Sequence, residues 1–357
     1  MNIYKSLGLK EVINADGKMT ALGGSSTSNT VATNMATALE NFVIMEDLLN
    51  HTGAVIGKHT RAEDGCPTVG AAAGIAIATA AVITGGKLSA VQEIPCTNQL
   101  KNEIIIQKGH CVDFGGNITQ MISVGGGKVV EVGTSNSTLY EHAMEAVTEK
   151  TAALLYVKSH HCVQKGMLAI EDFIEIGKKH NIPVIVDAAA EDDLKKYINT
   201  GANLVIYSGS KALNGPTCGF ICGEKQLIWA CKQQYKGIGR AMKVSKEAMV
   251  GLITALENYG KAEESYKEQM ERLSEKLNNI KGISSYVAKD EVRDFYRAAI
   301  KLEPSVAKEL NEKLKNDDPA IFLRPYYINQ GILFVDPRGL KTGQEDIITQ
   351  KITQFMI

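Results

Sequence analysis

A chain of 357 residues, 44% hydrophobic and 22% charged, has the make-up of an ordinary globular protein, long enough for one large domain and a smaller one. Its 39 basic and 40 acidic side chains leave a net charge of −1, which provides no basic surface for nucleic acid and argues against tRNA or DNA as a partner. The seven cysteines, at 66, 96, 111, 162, 218, 222 and 231, form no CxxC pair and no metal-ligand spacing, so reduced thiols, a cytoplasmic setting and no metal are expected.

The segment Met1-Asn2-Ile3-Tyr4-Lys5 lacks the apolar core of a secretory signal. Residues 1–30 read as an N-terminal arm in which Gly17, Gly23, Gly24, Ser25 and Ser26 allow tight turns. Lys18 and Thr20 stand within it. Apolar positions at helical spacing, Leu39, Phe42, Val43 and Leu48, predict a helix from about 34 to 58. Cys66-Pro67-Thr68-Val69-Gly70 then opens an Ala-rich helix over 71–83. The apolar stretch 69–85 is too weakly hydrophobic for a membrane span and reads as buried.

From 103 to 210 the pattern alternates. Short β-branched runs at 103–106, 129–132, 153–157, 183–187 and 203–207 are interleaved with helical patterns at 137–149, 170–180 and 190–200. This predicts an α/β domain with a mainly parallel sheet, spanning 31–249. Residues 245–281 read as one long exposed helix or two. A strand at 298–302, a helix at 304–315, a hairpin-like pair within 319–335 and a final helix make a smaller C-terminal α+β domain over 250–357.

Two residues at predicted strand ends carry the chemistry. Val205-Ile206-Tyr207-Ser208-Gly209-Ser210-Lys211 is an apolar run that ends on a lysine before Gly215-Pro216, and Asp187 closes Pro183-Val184-Ile185-Val186 twenty-four residues earlier. In open α/β sheets the carboxyl edge of the strands is where ligands bind. A lysine and an acid there suggest a pyridoxal phosphate enzyme, with Lys211 on the cofactor aldehyde and Asp187 keeping the pyridine nitrogen protonated. Ala188, Ala189 and Ala190 leave room for a flat ring. Ser208, Ser210 and the helix start at Thr68, Val69 and Gly70 are the candidates for the cofactor phosphate.

Ser159-His160-His161 lies on the same predicted rim, where a histidine could bond the cofactor's oxygen or protonate a leaving group. His110 is a candidate to stack on the ring. Arg324 and Arg338 are candidates for a substrate carboxylate, and Arg240 with Lys243, joined by Lys18 and Thr20, for a phosphate.

From about Gly8 to Arg338 the order of motifs resembles the selenocysteine-synthase-like branch of fold-type-I pyridoxal phosphate enzymes. The resemblance runs through Val12-Ile13-Asn14-Ala15, Gly109 to Gly116, Glu131-Val132-Gly133-Thr134-Ser135-Asn136, Val186-Asp187, Ser208-Gly209-Ser210-Lys211 and Gly215-Pro216. Within that branch, Gly17-Lys18-Met19-Thr20, Gly70-Ala71-Ala72-Ala73-Gly74-Ile75-Ala76 and Gly239-Arg240-Ala241-Met242-Lys243 are most similar to the D-glucosaminate-6-phosphate ammonia-lyase family. His161 falls where relatives place an Asn. Selenocysteine synthases carry an extra N-terminal domain for seryl-tRNA, whereas this chain begins almost at the catalytic region.

The resemblance implies an ammonia-lyase acting on a phosphorylated amino sugar acid. Lys211 would take the α-proton, His160 or His161 would assist departure of the β-hydroxyl, and a 2-keto-3-deoxy acid and ammonia would be the products. Fold-type-I relatives build their sites between subunits, so at least a homodimer is expected. The alternatives are a selenocysteine-synthase-like transferase, another lyase acting on a β-substituted amino acid, or a catalytically silent relative that keeps the fold.

Overall fold

The computed structural model describes residues 2–159, 161–260, 266–290 and 295–357. The chain divides into two compact units, Thr27–Tyr259 and Met1–Ser26 together with Gly260–Ile357. The described residues hold twelve strands: β1 (Val12–Ala15), β2 (Asp64–Thr68), β3 (Glu103–Gln107), β4 (Lys128–Val132), β5 (Thr151–Val157), β6 (Val184–Asp187), β7 (Leu204–Ser208), β8 (Gly219–Gly223), β9 (Ser284–Lys289), β10 (Tyr296–Lys301), β11 (Ala320–Tyr327) and β12 (Ile332–Val335).

In the unit Thr27–Tyr259, seven strands form one sheet in the order β2-β8-β7-β6-β5-β3-β4. Only β8 runs against the rest, pairing antiparallel with β2 and β7. All five β-branched runs of the alternating region became strands; four are largely buried on both faces, and the edge strand β4 keeps Lys128 and Glu131 exposed. Ile104, Ile106, Leu155, Ile185, Leu204 and Ile206 pack on one side of the sheet. The alternate residues Ile105, Leu154, Val184, Val186 and Val205 pack on the other. A sheet buried on both faces needs helices on both. The Ala-rich helix Ala71–Thr84 covers the first face and Ile170–His180 the second. Each fully buried large aliphatic side chain contributes about 1.5–3 kcal/mol.

The helix expected over 34–58 is two helices, Asn29–Glu40 and Met45–Thr60. The chain turns extended at Asn41, and the Lys246 ammonium binds the carbonyls of Leu39 and Asn41, which the first helix would otherwise leave unsatisfied. Two other expected helices are shorter than their patterns, at Tyr140–Glu145 and Lys196–Thr200. In the second case Asp193 Oδ1 accepts the N–H groups of Lys195 and Lys196, holding the preceding residues in a turn. The pattern at 245–281 forms two helices, Lys246–Asn258 and Tyr266–Asn278. The first buries Met249, Leu252 and Leu256, so it is a core helix and not an exposed one.

In the other unit, five strands lie in the order β1-β11-β12-β10-β9. β1 pairs parallel with β11, so the N-terminal segment is an edge strand of the C-terminal sheet. Helices Tyr266–Asn278, Pro304–Asn316 and Gln344–Met356 close its core through Leu273, Leu310 and Ile348. No helix among the described residues is long and apolar enough to cross a membrane.

Candidate active site

The carboxyl ends of β6 and β7 hold the two residues singled out by sequence. Asp187 closes β6 opposite Val157 of β5 and Ile206 of β7. Its carboxylate is buried, and its Oδ1 accepts the N–H of Ala189 at 3.1 Å. Burial pushes its pKa up to about 6, against the opposing charge of Lys211. A buried carboxylate held by one amide and one ammonium field is the complement of a further cation, and a protonated pyridine nitrogen fits that requirement.

Lys211 follows β7 in a turn. The Asn214 N–H donates to its carbonyl at 3.4 Å, and Asn214 adopts a left-handed φ of 51°. The segment after β6 is tied to β7 by Ser208 N–H to Ala189 O at 3.2 Å, so the lysine-bearing turn and the acid stand on adjoining strand ends.

The phosphate candidates meet through a glycine. Gly219, at the start of β8, is paired with Thr68 on one side and Ser208 on the other. A Cβ there would lie 2.7 Å from the Gly70 carbonyl carbon and 2.9 Å from Thr68 Oγ1, so only glycine lets the helix start approach this closely. Thr68 Oγ1 donates to Gly70 O at 2.9 Å, and the first N–H groups of Ala71–Thr84 follow directly. Ser208 Oγ and Ser210 Oγ are 3.3 Å apart on the other side. Thr68, Val69, Gly70, Ser208 and Ser210 therefore share one edge with Ala189, Asp187 and Lys211. Hydroxyls beside a helix N-terminus suit a phosphate.

His110 is buried: its Nδ1 accepts the Val157 N–H at 3.2 Å, and its ring stands edge-on to Tyr156 at 4.8 Å. Burial, then the charge of Lys158, lowers its pKa to about 4, so it is neutral at physiological pH. His161 is exposed, its N–H bonded to Ser159 Oγ at 3.2 Å. His160 lies outside the described residues.

Arg240 and Lys243 are exposed and line a cleft of 510 Å³ with Lys236, Tyr235, Trp229 and Met45. The described residues lining it include neither Asp187 nor Lys211. The basic pair thus sits in a space of its own within this unit. Lys236 was not singled out in the sequence; its place in Gln234-Tyr235-Lys236, before Gly237, carries no motif.

The remaining candidates belong to the other unit. Arg324, on β11, is nearly buried: its Nη1 donates to Asp16 O at 2.9 Å and its Nη2 to the Tyr326 hydroxyl at 2.8 Å. Arg338 grips Asp336 through Nε at 3.0 Å and Nη2 at 2.8 Å. Lys18 is half-buried, and Thr20 is exposed at the start of a short turn. Asp336, which pairs with both Arg324 and Arg338, carries no signal in the sequence, because Asp336-Pro337-Arg338 resembles any turn.

The fold and the site define a fold-type-I pyridoxal phosphate enzyme. The chain belongs to the SelA family, L-seryl-tRNA selenium transferase, whose pattern matches residues 12–313. It is 44% identical to a D-glucosaminate-6-phosphate ammonia lyase of Salmonella typhimurium (strain 14028s / SGSC 2262), over 99% of this chain and 98% of that one. It is 40% identical to a 5'-C-glycyluridine monooxygenase-decarboxylase of a Streptomyces species, over 99% of this chain and 92% of that one. A solved structure of a D-glucosaminate-6-phosphate ammonia-lyase superimposes with a TM-score of 0.96 at 44% identity, covering 100% of this chain and 98% of the other.

Proposed function

We propose that this protein is an ammonia-lyase that converts D-glucosaminate 6-phosphate, or a similar phosphorylated amino sugar acid, to 2-keto-3-deoxy-6-phosphogluconate and ammonia in the cytoplasm. The observation that carries the reading is the full-length likeness to the lyase together with the Asp187–Lys211 pair on one sheet edge. Pyridoxal phosphate, when bound, supplies an electron sink for the α-carbon. Asp187 holds the positive charge of its ring nitrogen, Ala189 leaves room for the ring, and Ser208, Ser210, Thr68 and the amides at Val69 and Gly70 hold its phosphate.

Lys211 is the residue that would hold the cofactor through its aldehyde group, and its amine would be the base for the substrate's α-proton. The β-hydroxyl leaves with a proton from His161 or His160. The water lost at that step is regained when the product hydrolyses, so the net change is loss of ammonia. Arg324 grips the substrate carboxylate. Arg240 and Lys243 grip the distal phosphate, with Lys18 and Thr20 as further candidates. Because the basic cleft is lined by residues other than Asp187 and Lys211, we expect the active form to be at least a homodimer.

Incubation of purified holoenzyme with D-glucosaminate 6-phosphate should release ammonia and a 2-keto acid in equal amounts. Absence of both products would overturn the reading. A second reading follows from the 40% likeness to the glycyluridine enzyme. On that reading the protein would instead take up oxygen and lose carbon dioxide from a glycyl nucleoside, and oxygen-electrode measurements separate the two.

A further inference from the structure

Asp336 directly follows β12, and its side chain is fully buried. Three guanidinium groups surround it. Arg338 is bonded as above, Arg297 donates from Nε at 3.1 Å, and Arg324 Nη1 stands at 3.6 Å. The Asp336 N–H donates to Ala15 O at 2.8 Å, which fastens the N-terminal strand to the same point. The Phe295 ring contacts both Arg297 and Arg338, whose guanidinium carbons are 4.6 and 4.0 Å from its centre.

The turn after β1 closes over this group. Asn14 Oδ1 accepts the N–H groups of Asp16 at 3.1 Å and Gly17 at 3.2 Å, and Gly17 adopts a φ of 102°. A Cβ at Gly17 would lie 2.9 Å from Asp336 Oδ2 and 3.2 Å from Arg324 Nη1. The three arginines are used differently. Arg338 spends two N–H groups on Asp336, and Arg297 bridges Asp336 and Asp290. Arg324 stands beyond hydrogen-bond length from Asp336, spends one N–H on a carbonyl and one on a tyrosine hydroxyl, and leaves its buried Nε with no partner among the described residues.

Buried N–H groups are paired in nearly all folded proteins, so an orphan on a guanidinium marks a place for an acceptor. The acceptor whose shape matches an Nε–Nη edge is a carboxylate, taken in two parallel bonds. We infer that Asp336 is a positioning residue, which holds Arg324 in place by charge while leaving its hydrogen-bonding edge for the carboxylate of the substrate. The inference rests on the proposed function for the identity of that substrate. A purely structural cluster has no need for an arginine held near its carboxylate without bonding to it. Tyr326 and the Asp16 carbonyl fix the plane of the guanidinium, and Asp336 fixes its charge environment.

The test uses holoenzyme and two ligands, D-glucosaminate 6-phosphate and its carboxylate-free counterpart 2-amino-2-deoxyglucitol 6-phosphate, with binding read as a shift in the cofactor's absorption. Asp336→Asn should weaken the first about ten- to a hundredfold and the second less than about threefold, raising KM while kcat changes little. Equal weakening of both ligands, or a fall in kcat at unchanged KM, overturns the inference. Where Asp336→Asn does not fold, Tyr326→Phe decides: loss of one neutral partner of Arg324 should weaken only the first ligand, by about three- to tenfold. A Tyr326→Phe enzyme with wild-type KM sinks the inference. Failure of the functional reading shows elsewhere, as wild-type enzyme that binds the first ligand but releases no ammonia, while the ratio of the two affinities still judges Asp336. Wild-type enzyme that binds neither ligand, or both equally, overturns the carboxylate grip itself.

Discussion

Gly209 and Cys218 meet backbone to backbone two residues before Lys211. The Gly209 N–H donates to the Cys218 carbonyl at 2.8 Å, and a Cβ at 209 would run into Cys218 Sγ. Cys218 is buried, and burial pushes its thiol up to about 12, so it packs there as a small neutral side chain. The Gly215 N–H closes the other end of the turn by donating to Gly209 O at 2.8 Å.

Gly209→Ala should therefore destabilise the protein by about 1–3 kcal/mol through overpacking. It should also lower turnover, because the turn that presents Lys211 must shift. Thermal unfolding and an ammonia assay check both. A variant of full stability and activity would show that the turn yields freely.

Borohydride treatment of the holoenzyme should leave a single pyridoxyl group, on Lys211, and Lys211→Ala should lose the visible cofactor band and all turnover. Peptide mass spectrometry locates the label. Its appearance on any other lysine would remove Lys211 from its role.

The pH behaviour of Asp187 has a definite sign. Its folded pKa of about 6 lies above the ordinary value of 3.8. A carboxyl raised by folding favours the folded state at low pH, and that contribution is lost as pH rises through about 6. Apoprotein stability should fall between about pH 4 and pH 6 on account of this group. Asp187→Asn should make the apoprotein more stable at pH 7.5, by up to about 3 kcal/mol for a shift of this size. The gap should close towards pH 4, where both side chains are neutral. The same variant should lose at least about a hundredfold in turnover, since an unprotonated pyridine is a poor electron sink. Urea titrations of apoprotein at several pH values test the first part, and a pH-independent gap contradicts it.

Arg240→Ala should cost a 6-phosphorylated substrate about 1.5–3 kcal/mol, one to two decades in kcat/KM, and its dephosphorylated analogue far less. Equal losses on the two substrates would move the phosphate grip away from the cleft that Arg240 lines.

Phe42 is fully exposed between Leu39 and Val43, Ile44 and Met45, which are exposed as well. A run of this kind on a protein surface calls for a cover, and we expect a second copy of this chain to provide it. Light scattering should report at least a dimer for the wild type and a smaller species for Phe42→Asp. A fully active monomer at assay concentration would refute this expectation.

Five of the seven strands in the sheet of the larger unit were legible in the sequence as short β-branched runs, whereas β2 (Asp64-Gly65-Cys66-Pro67-Thr68) and β8 (Gly219-Phe220-Ile221-Cys222-Gly223) carry no such run. Lys211 and Asp187 were legible because each interrupts such a run at its carboxyl end, where a charge has no structural reason to stand. Other features depended on partners distant in sequence. Lys246 caps the helix that ends near Leu39, and this splits a single helical pattern in two. Gly219 brings Thr68 and Ser208 together from segments about 140 residues apart. Asp336 gathers Arg297, Arg324 and Arg338 around one carboxylate. Local periodicity reports which face of an element is apolar, but the pairing of buried charges is decided by tertiary packing, and no spacing along the chain records it.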